Sequence, residues 1–174
     1  MRNILLILLV FFKCNVASAQ NNIVYLDVKY ILDNSNIGKI YNNKIKLLKD
    51  EIKLKLELEQ NKIKEKETQI NNQKNILKKE EIDNKINELN DLVKNYQIYR
   101  KNMQEKVIND KRKYSTKILN ILNPLLTSFV EKNKINLVVE KKNILIGVKT
   151  LDITDEILKI LNDETIKLNI NNDN

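Results

Sequence analysis

The sequence is dominated by an 85-residue stretch, residues 39–123, that contains neither glycine nor proline. These two residue types most often interrupt regular structure, and the whole chain has only two glycines and one proline. The stretch is rich in Lys, Glu, Ile, Leu and Asn, which favours helix. A single straight helix of that length would extend roughly 130 Å, and no compact core could bury it. The segment is therefore predicted to project as an arm or to join a coiled coil.

The second half of this stretch has a regular apolar repeat. Steps of four and three residues meet an apolar side chain at nine of twelve positions, which is typical of a coiled-coil seam. Three charged residues, Arg100, Asp110 and Lys117, interrupt it. The apolar positions are Ile82, Ile86, Leu89, Val93, Tyr96, Met103, Val107, Tyr114 and Ile121.

The first half has a looser stripe, which suits packing against a partner helix. It consists of Ile45, Leu48, Ile52, Leu56, Ile63 and Ile70. A reversal between the halves would let them pack together, and the Asn/Gln-rich residues 69–75 are the weakest helix-forming segment. We predict an antiparallel helical hairpin, residues 39–117, with its tip within 70–84. One unbroken helix is the alternative.

Strand-like segments lie on both sides of the arm. Residues 23–28 favour a strand, and residues 135–140 and 143–148 are predicted to form two more, joined by a tight turn at Lys141-Lys142. Gly38 is expected to punctuate the chain before the arm, and Pro124 to kink a helix or start a new one. Residues 152–161 are predicted to form a capped helix, because Asp152 or Thr154 can accept hydrogen bonds from its free amides.

These segments predict a mainly α protein with a small β-containing body, formed by residues 20–38 and 118–162, and a polar, frayed tail at 163–174. Such a body has too little core to be stable alone, so oligomerisation is expected to supply burial. The residues assigned to this oligomerisation body are Ile23, Val24, Tyr25, Leu26, Val28, Leu137, Val138, Val139, Ile144 and Ile146.

The N-terminus has the pattern of a secretory signal peptide, residues 1–19. A basic start precedes the apolar residues 4–12, which are too few to span a membrane, and Ala17-Ser18-Ala19 predicts cleavage before Gln20. A retained membrane anchor and a lipoprotein attached through Cys14 are the alternatives. We expect an exported protein.

Composition excludes several kinds of catalytic site. The chain has no histidine, and its one cysteine, Cys14, lies in the predicted signal peptide. Zinc sites of the Cys/His type and Ser-His-Asp triads are therefore excluded. The acidic group at 80–83 is interpreted as solvated helix surface, and that at 152–156 as capping rather than a calcium loop. We expect no catalytic residue, no metal site, no cofactor and no enzyme activity.

Positive charge is concentrated on the predicted arm. Residues 39–123 carry 21 basic and 13 acidic side chains, a net charge of +8, which equals the net charge of the whole chain. The resulting field would attract acidic unfolded chains or anionic lipid. The run Lys111-Arg112-Lys113 is a candidate contact for an anionic glycolipid such as lipopolysaccharide. Nucleic acid is not an expected partner of an exported protein.

At both ends the chain resembles the Skp/OmpH family of periplasmic chaperones. The resemblance is carried by residues 23–32 with Asn34-Ser35 and Gly38-Lys39, by Pro124 before the apolar residues 125–130, and by residues 148–161. It implies a jellyfish-shaped homotrimer whose helical hairpins surround a cavity. It also implies an ATP-independent holdase that captures unfolded outer-membrane proteins.

Five residues of the arm are candidate client contacts: Ile70, Ile76, Leu77, Tyr99 and Lys101. Tyr99 lies off the predicted seam, whereas Tyr96, Met103 and Tyr114 are expected to fill it. Two other functions stay open at this point. One is a structural envelope spacer or secretion adaptor that holds a fixed partner at the hairpin tip. The other is a cytosolic prefoldin-like subunit, which the signal segment opposes.

Overall fold

The computed structural model describes residues 22–167. The predicted signal peptide, its cleavage site and the last seven residues of the predicted tail lie outside this range. Within it, no helix is long and apolar enough to cross a membrane.

The described chain is mostly helical with a small sheet, as predicted, but the sheet has two strands where three were expected. Its order is β1 (Ile23–Leu26), α1 (Val28–Asn34), α2 (Asn36–Gln73), α3 (Lys79–Lys132), β2 (Leu137–Glu140) and α4 (Thr154–Lys167). Two single 3-10 turns, Lys141–Asn143 and Lys149–Leu151, lie between β2 and α4.

The two strands pair in parallel. Ile23 lies opposite Leu137, and the register continues to Leu26 opposite Glu140. Parallel neighbours need a long crossover, and here α1, α2 and α3 together supply it. Val28, predicted to end the first strand, instead begins α1, because the Asp27 carboxylate caps that helix by accepting from the Tyr30 N–H at 2.8 Å.

The prediction of a third strand at 143–148, joined by a hairpin at Lys141-Lys142, is wrong for the single chain. The chain leaves the sheet in a 3-10 turn, where the Lys141 ammonium lies 3.1 Å from the Asp152 carboxylate and 3.9 Å from that of Asp27. Residues 143–148 then pair with no strand in the described part of the chain. Leu145 is fully exposed and Ile146 is 90% exposed.

Gly38 lies inside the first turn of α2 and does not interrupt the helix, contrary to the prediction. The fully buried Ser35 separates α1 from α2, and its hydroxyl accepts from the Gly38 N–H at 3.1 Å. A Cβ at position 38 would lie 2.1 Å from the Leu32 carbonyl oxygen. Glycine is therefore required because the end of α1 crosses the start of α2 too closely for any side chain.

Gly38→Ala is expected to lower the free energy of unfolding by roughly 1–3 kcal/mol, because the crowding atom belongs to the backbone. An uncrowded helical Gly→Ala change would instead stabilise by about 0.5–1 kcal/mol. Urea unfolding followed by circular dichroism measures the sign. Lys39→Ala, at the exposed neighbouring position, is the control and should change stability by less than about 0.5 kcal/mol. Equal or higher stability of Gly38→Ala would contradict the close crossing.

One apolar core joins the two ends of the chain to the base of the long helices. Ile31 of α1, Ile37 of α2, Leu122 of α3 and Leu161 of α4 are almost completely buried in it. Other members of the core are Val24, Leu26, Tyr41, Ile118, Ile153 and Ile157. The body is thus built from residues far apart in sequence.

The structure refines the predictions for two helices. Of the two outcomes predicted for Pro124, a kink or a new helix, the start of a new helix is excluded because Pro124 lies within α3; it is exposed, while Leu122 and Leu125 beside it pack against the core. The predicted tail is helical as far as Lys167, because Thr165 is buried and its hydroxyl donates to the Asn162 carbonyl at 2.9 Å. Packing outweighs local sequence preference at both places.

A polar cluster ties β1 to the start of α4. The Thr154 hydroxyl accepts from the Asp27 N–H at 2.9 Å and donates to the Asp152 carboxylate, which also accepts from the Thr154 N–H at 3.1 Å. Burial raises the pKa of Asp152, but the hydrogen bonds from Thr154 and Lys141 outweigh it, so the pKa lies below its ordinary value of 3.8.

Asp152→Asn is expected to lower the free energy of unfolding by about 1–2 kcal/mol at neutral pH. Because folding lowers the pKa of Asp152, its contribution is present above the ordinary pKa and is lost as the pH falls through the folded-state value. The difference between parent and variant should therefore shrink below about pH 4. Urea unfolding across this pH range measures it, with the exposed Asp163→Asn as control. A difference that is independent of pH would refute the ionic role.

Candidate functional site

The helices α2 and α3 are separated by residues 74–78, so the alternative of one unbroken helix is wrong. Tyr41 contacts Tyr114, Lys55 contacts Tyr99 and Lys66 contacts Glu88. The residue number of the contact in α3 falls as that of its partner in α2 rises, so the two helices run in opposite directions. The Lys66 ammonium holds the pKa of Glu88 below its ordinary value through a hydrogen bond and its charge.

The facing sides of α2 and α3 carry most of the predicted apolar positions. Near the body, Ile45 is buried, and the rings of Tyr41 and Tyr114 stack with their centroids 4.2 Å apart. Farther out, Ile52, Leu56 and Met103 are only half-buried. Apolar contact between the two helices is therefore thinner midway along the arm than beside the body.

An exposed row of leucines lies on the other side of α2. Leu47 is 69% exposed, and Leu54 and Leu58 are each 63% exposed. Steps of seven and four residues place them on one face. Each follows a member of the α3-facing stripe (Ile45, Ile52 or Leu56) by two residues, or about 200° around the helix.

This row is not among the positions predicted from the sequence, because those positions assume a single seam on each helix. A detectable signal was the repeat of Ile40, Leu47 and Leu54 at seven-residue intervals, which is a second apolar heptad on the same helix. Exposure of several large apolar residues in one row is a feature of binding surfaces.

The structure places the five predicted client contacts in different environments. Ile76 is 80% exposed in the connection between α2 and α3, and Lys101 is exposed on α3. Leu77 is half-buried. Tyr99 is also half-buried, with the Lys55 ammonium 4.6 Å from its ring centroid, and Ile70 is buried in the last turn of α2. Ile70 therefore presents almost no surface to a partner.

The basic run is exposed, as a lipid contact requires. Lys111, Arg112 and Lys113 all reach solvent near the base of α3. Lys111 also lines a small cavity of ≈130 Å³ beside Tyr41 and Tyr114. Among residues 22–167, no group of three or more acidic, His or Cys side chains is arranged to hold a metal ion.

Two comparisons with known proteins give matches. The family model described as outer membrane protein (OmpH-like) matches residues 22–161. The crystal structure of a protein from Caulobacter crescentus described as an OmpH-like outer membrane chaperone superposes with a TM-score of 0.73 at 14% identity, covering 88% of this chain and 91% of that one. At this identity the superposition shows a shared fold. A comparison with curated proteins gives no match.

Proposed function

The chain belongs to the OmpH-like family of outer membrane proteins, and we propose on that premise that it is an ATP-independent holdase chaperone of the periplasm. Its clients would be unfolded outer-membrane proteins, held in a cavity between the helical hairpins of a homotrimer. The solved relative of the same fold, itself described as an outer membrane chaperone, supports this proposal.

The exposed row Leu47, Leu54 and Leu58 carries the proposal. It gives the hairpin an apolar surface on the side away from α3, within a segment of net charge +8. Many weak apolar contacts, combined with long-range attraction of acidic groups, hold an unfolded chain without imposing a structure on it. A row of exposed apolar side chains on one helix face suits clients of varied sequence.

The triple variant Leu47→Ser/Leu54→Ser/Leu58→Ser is expected to need about tenfold more protein for half-maximal suppression of client aggregation, because apolar contact area is lost. The assay is light scattering after an unfolded outer-membrane β-barrel protein is diluted from urea without ATP. Ile98→Ser/Ile166→Ser is the control, since it removes two exposed isoleucines that lie on different helices and form no row. Raising the salt concentration should weaken client capture by the parent protein and by the triple variant, because salt screens the positive charge of the arm.

Unchanged suppression by the triple variant would refute the leucine row as the client surface. If the parent chain suppresses no aggregation, the holdase proposal fails. The spacer or adaptor function is then favoured, because Ile76 is 80% exposed at the tip, where a fixed partner would bind. In that case Ile76→Ser would abolish the partner's binding.

Residues 143–148 support the proposed trimer. This apolar run, which contains Leu145 and Ile146, pairs with no strand among residues 22–167, and both side chains are exposed. A strand from another copy would supply both the backbone hydrogen bonds and the burial that the single chain lacks. Ile23 and Leu137 of the two-stranded sheet are exposed as well and extend this surface.

Light scattering coupled to size exclusion is expected to give the mass of three chains for the parent protein. Leu145→Asp/Ile146→Asp should reduce this to one chain at micromolar concentration, because two carboxylates would be buried unpaired in the interface. Leu58→Asp, which changes a leucine on the arm that is 63% exposed, is the control and should remain trimeric. A monomeric parent, or a trimeric Leu145→Asp/Ile146→Asp variant, would contradict the proposed interface.

A further inference from the structure

The interface between α2 and α3 opens into a groove midway along the hairpin. Its floor is formed by Ile52 and Leu56 of α2 and by Met103 and Val107 of α3, all half-buried, and its volume is ≈330 Å³. An engineered apolar cavity of about 150 Å³ is large enough to bind benzene, so this groove has room for a larger apolar group.

The groove exists because a cation occupies a seam position. Arg100 falls where the heptad repeat calls for an apolar residue, and its side chain is exposed instead of filling the interface. The apolar positions next to it along the seam, Tyr96 and Met103, are only half-buried. Because Arg100 does not fill the interface, the apolar floor of the groove stays uncovered, and a positive charge lies at the edge of the groove.

The rim of the groove is positively charged. Lys49 of α2 and Arg100 of α3 line it, Gln104 adds an amide, and no carboxylate is among the lining residues. Neither cation forms an ion pair with a carboxylate of residues 22–167. Two unpaired cations over an apolar floor complement a molecule with one apolar part and one anionic end.

We propose that this groove binds a single-chain anionic amphiphile, with its alkyl chain on the apolar floor and its carboxylate between Lys49 and Arg100. The guanidinium of Arg100 suits this role because its planar donors match the two oxygens of a carboxylate. The site is distinct from the basic run at 111–113, because none of those three residues lines the groove. It is also distinct from the leucine row, which lies on the opposite side of α2.

Met103 makes the groove observable. The sequence has only two methionines, Met1 and Met103, so selective ¹³C labelling of the methionine methyl groups gives one signal from the groove floor. Titration of the full chain with dodecanoate, kept below its micelle concentration, is expected to shift the Met103 methyl signal saturably, with one ligand per chain. Met103→Leu assigns the signal.

Lys49→Gln/Arg100→Gln is expected to weaken dodecanoate binding about fivefold or more, since each partly exposed ion pair contributes a modest share of affinity. Lys101→Gln is the matched control: it removes the next cation on α3, which is exposed but does not line the groove, and affinity should change less than about twofold. Dodecyltrimethylammonium, with the same chain and the opposite charge, should bind at least fivefold more weakly than dodecanoate.

Three results would overturn the proposal. The first is a Met103 signal that does not respond to dodecanoate. The second is equal affinity for the anionic and cationic amphiphiles, which would indicate apolar adsorption only. The third is loss of affinity in Lys111→Gln/Arg112→Gln/Lys113→Gln but not in Lys49→Gln/Arg100→Gln, which would move the site to the basic run.

Discussion

The parallel pairing of β1 with β2 is the constraint on which the rest of the structure depends. Ile23 and Leu137 lie side by side although most of the chain separates them. A parallel pair needs a crossover connection. Here the crossover consists mainly of the long helices α2 and α3, which extend from the body and return to it. The core then closes around that junction, with Ile31, Ile37, Leu122 and Leu161 contributed by four different helices.

Burial is distributed unevenly as a result. At the base, where α1, α2, α3 and α4 meet, side chains are fully enclosed, and even Gly38 is fixed by a backbone contact with Leu32. Along the described arm two helices face each other, so the side of each helix away from the other remains in solvent. The leucine row is therefore not covered by another helix. Arg100 can also occupy a seam position, and the groove between α2 and α3 forms beside it. The proposed functions of the arm follow from this thin packing.

Local sequence signals predicted the elements well where packing agrees with them. The first strand, the long helices and the capped C-terminal helix all occur close to the predicted residues. Local signals were less informative where tertiary contacts decide. Helix α3 continues through Pro124, whose neighbours pack in the core, and α4 extends beyond its predicted end to Lys167 because Thr165 is buried. The strand expected at 143–148 has no partner within the described chain.

The sequence by itself determined that a long helical arm carries the positive charge, because helix propensity and net charge are sums over local residues. It also determined which face of each helix is apolar enough to form a seam. Only the tertiary structure decided which apolar residues stay exposed, since Leu54 and Ile52 are equally apolar and differ only in whether they face α3. It likewise decided that Ile70 is buried and that Lys49 and Arg100 border one groove, because both depend on how two distant segments align.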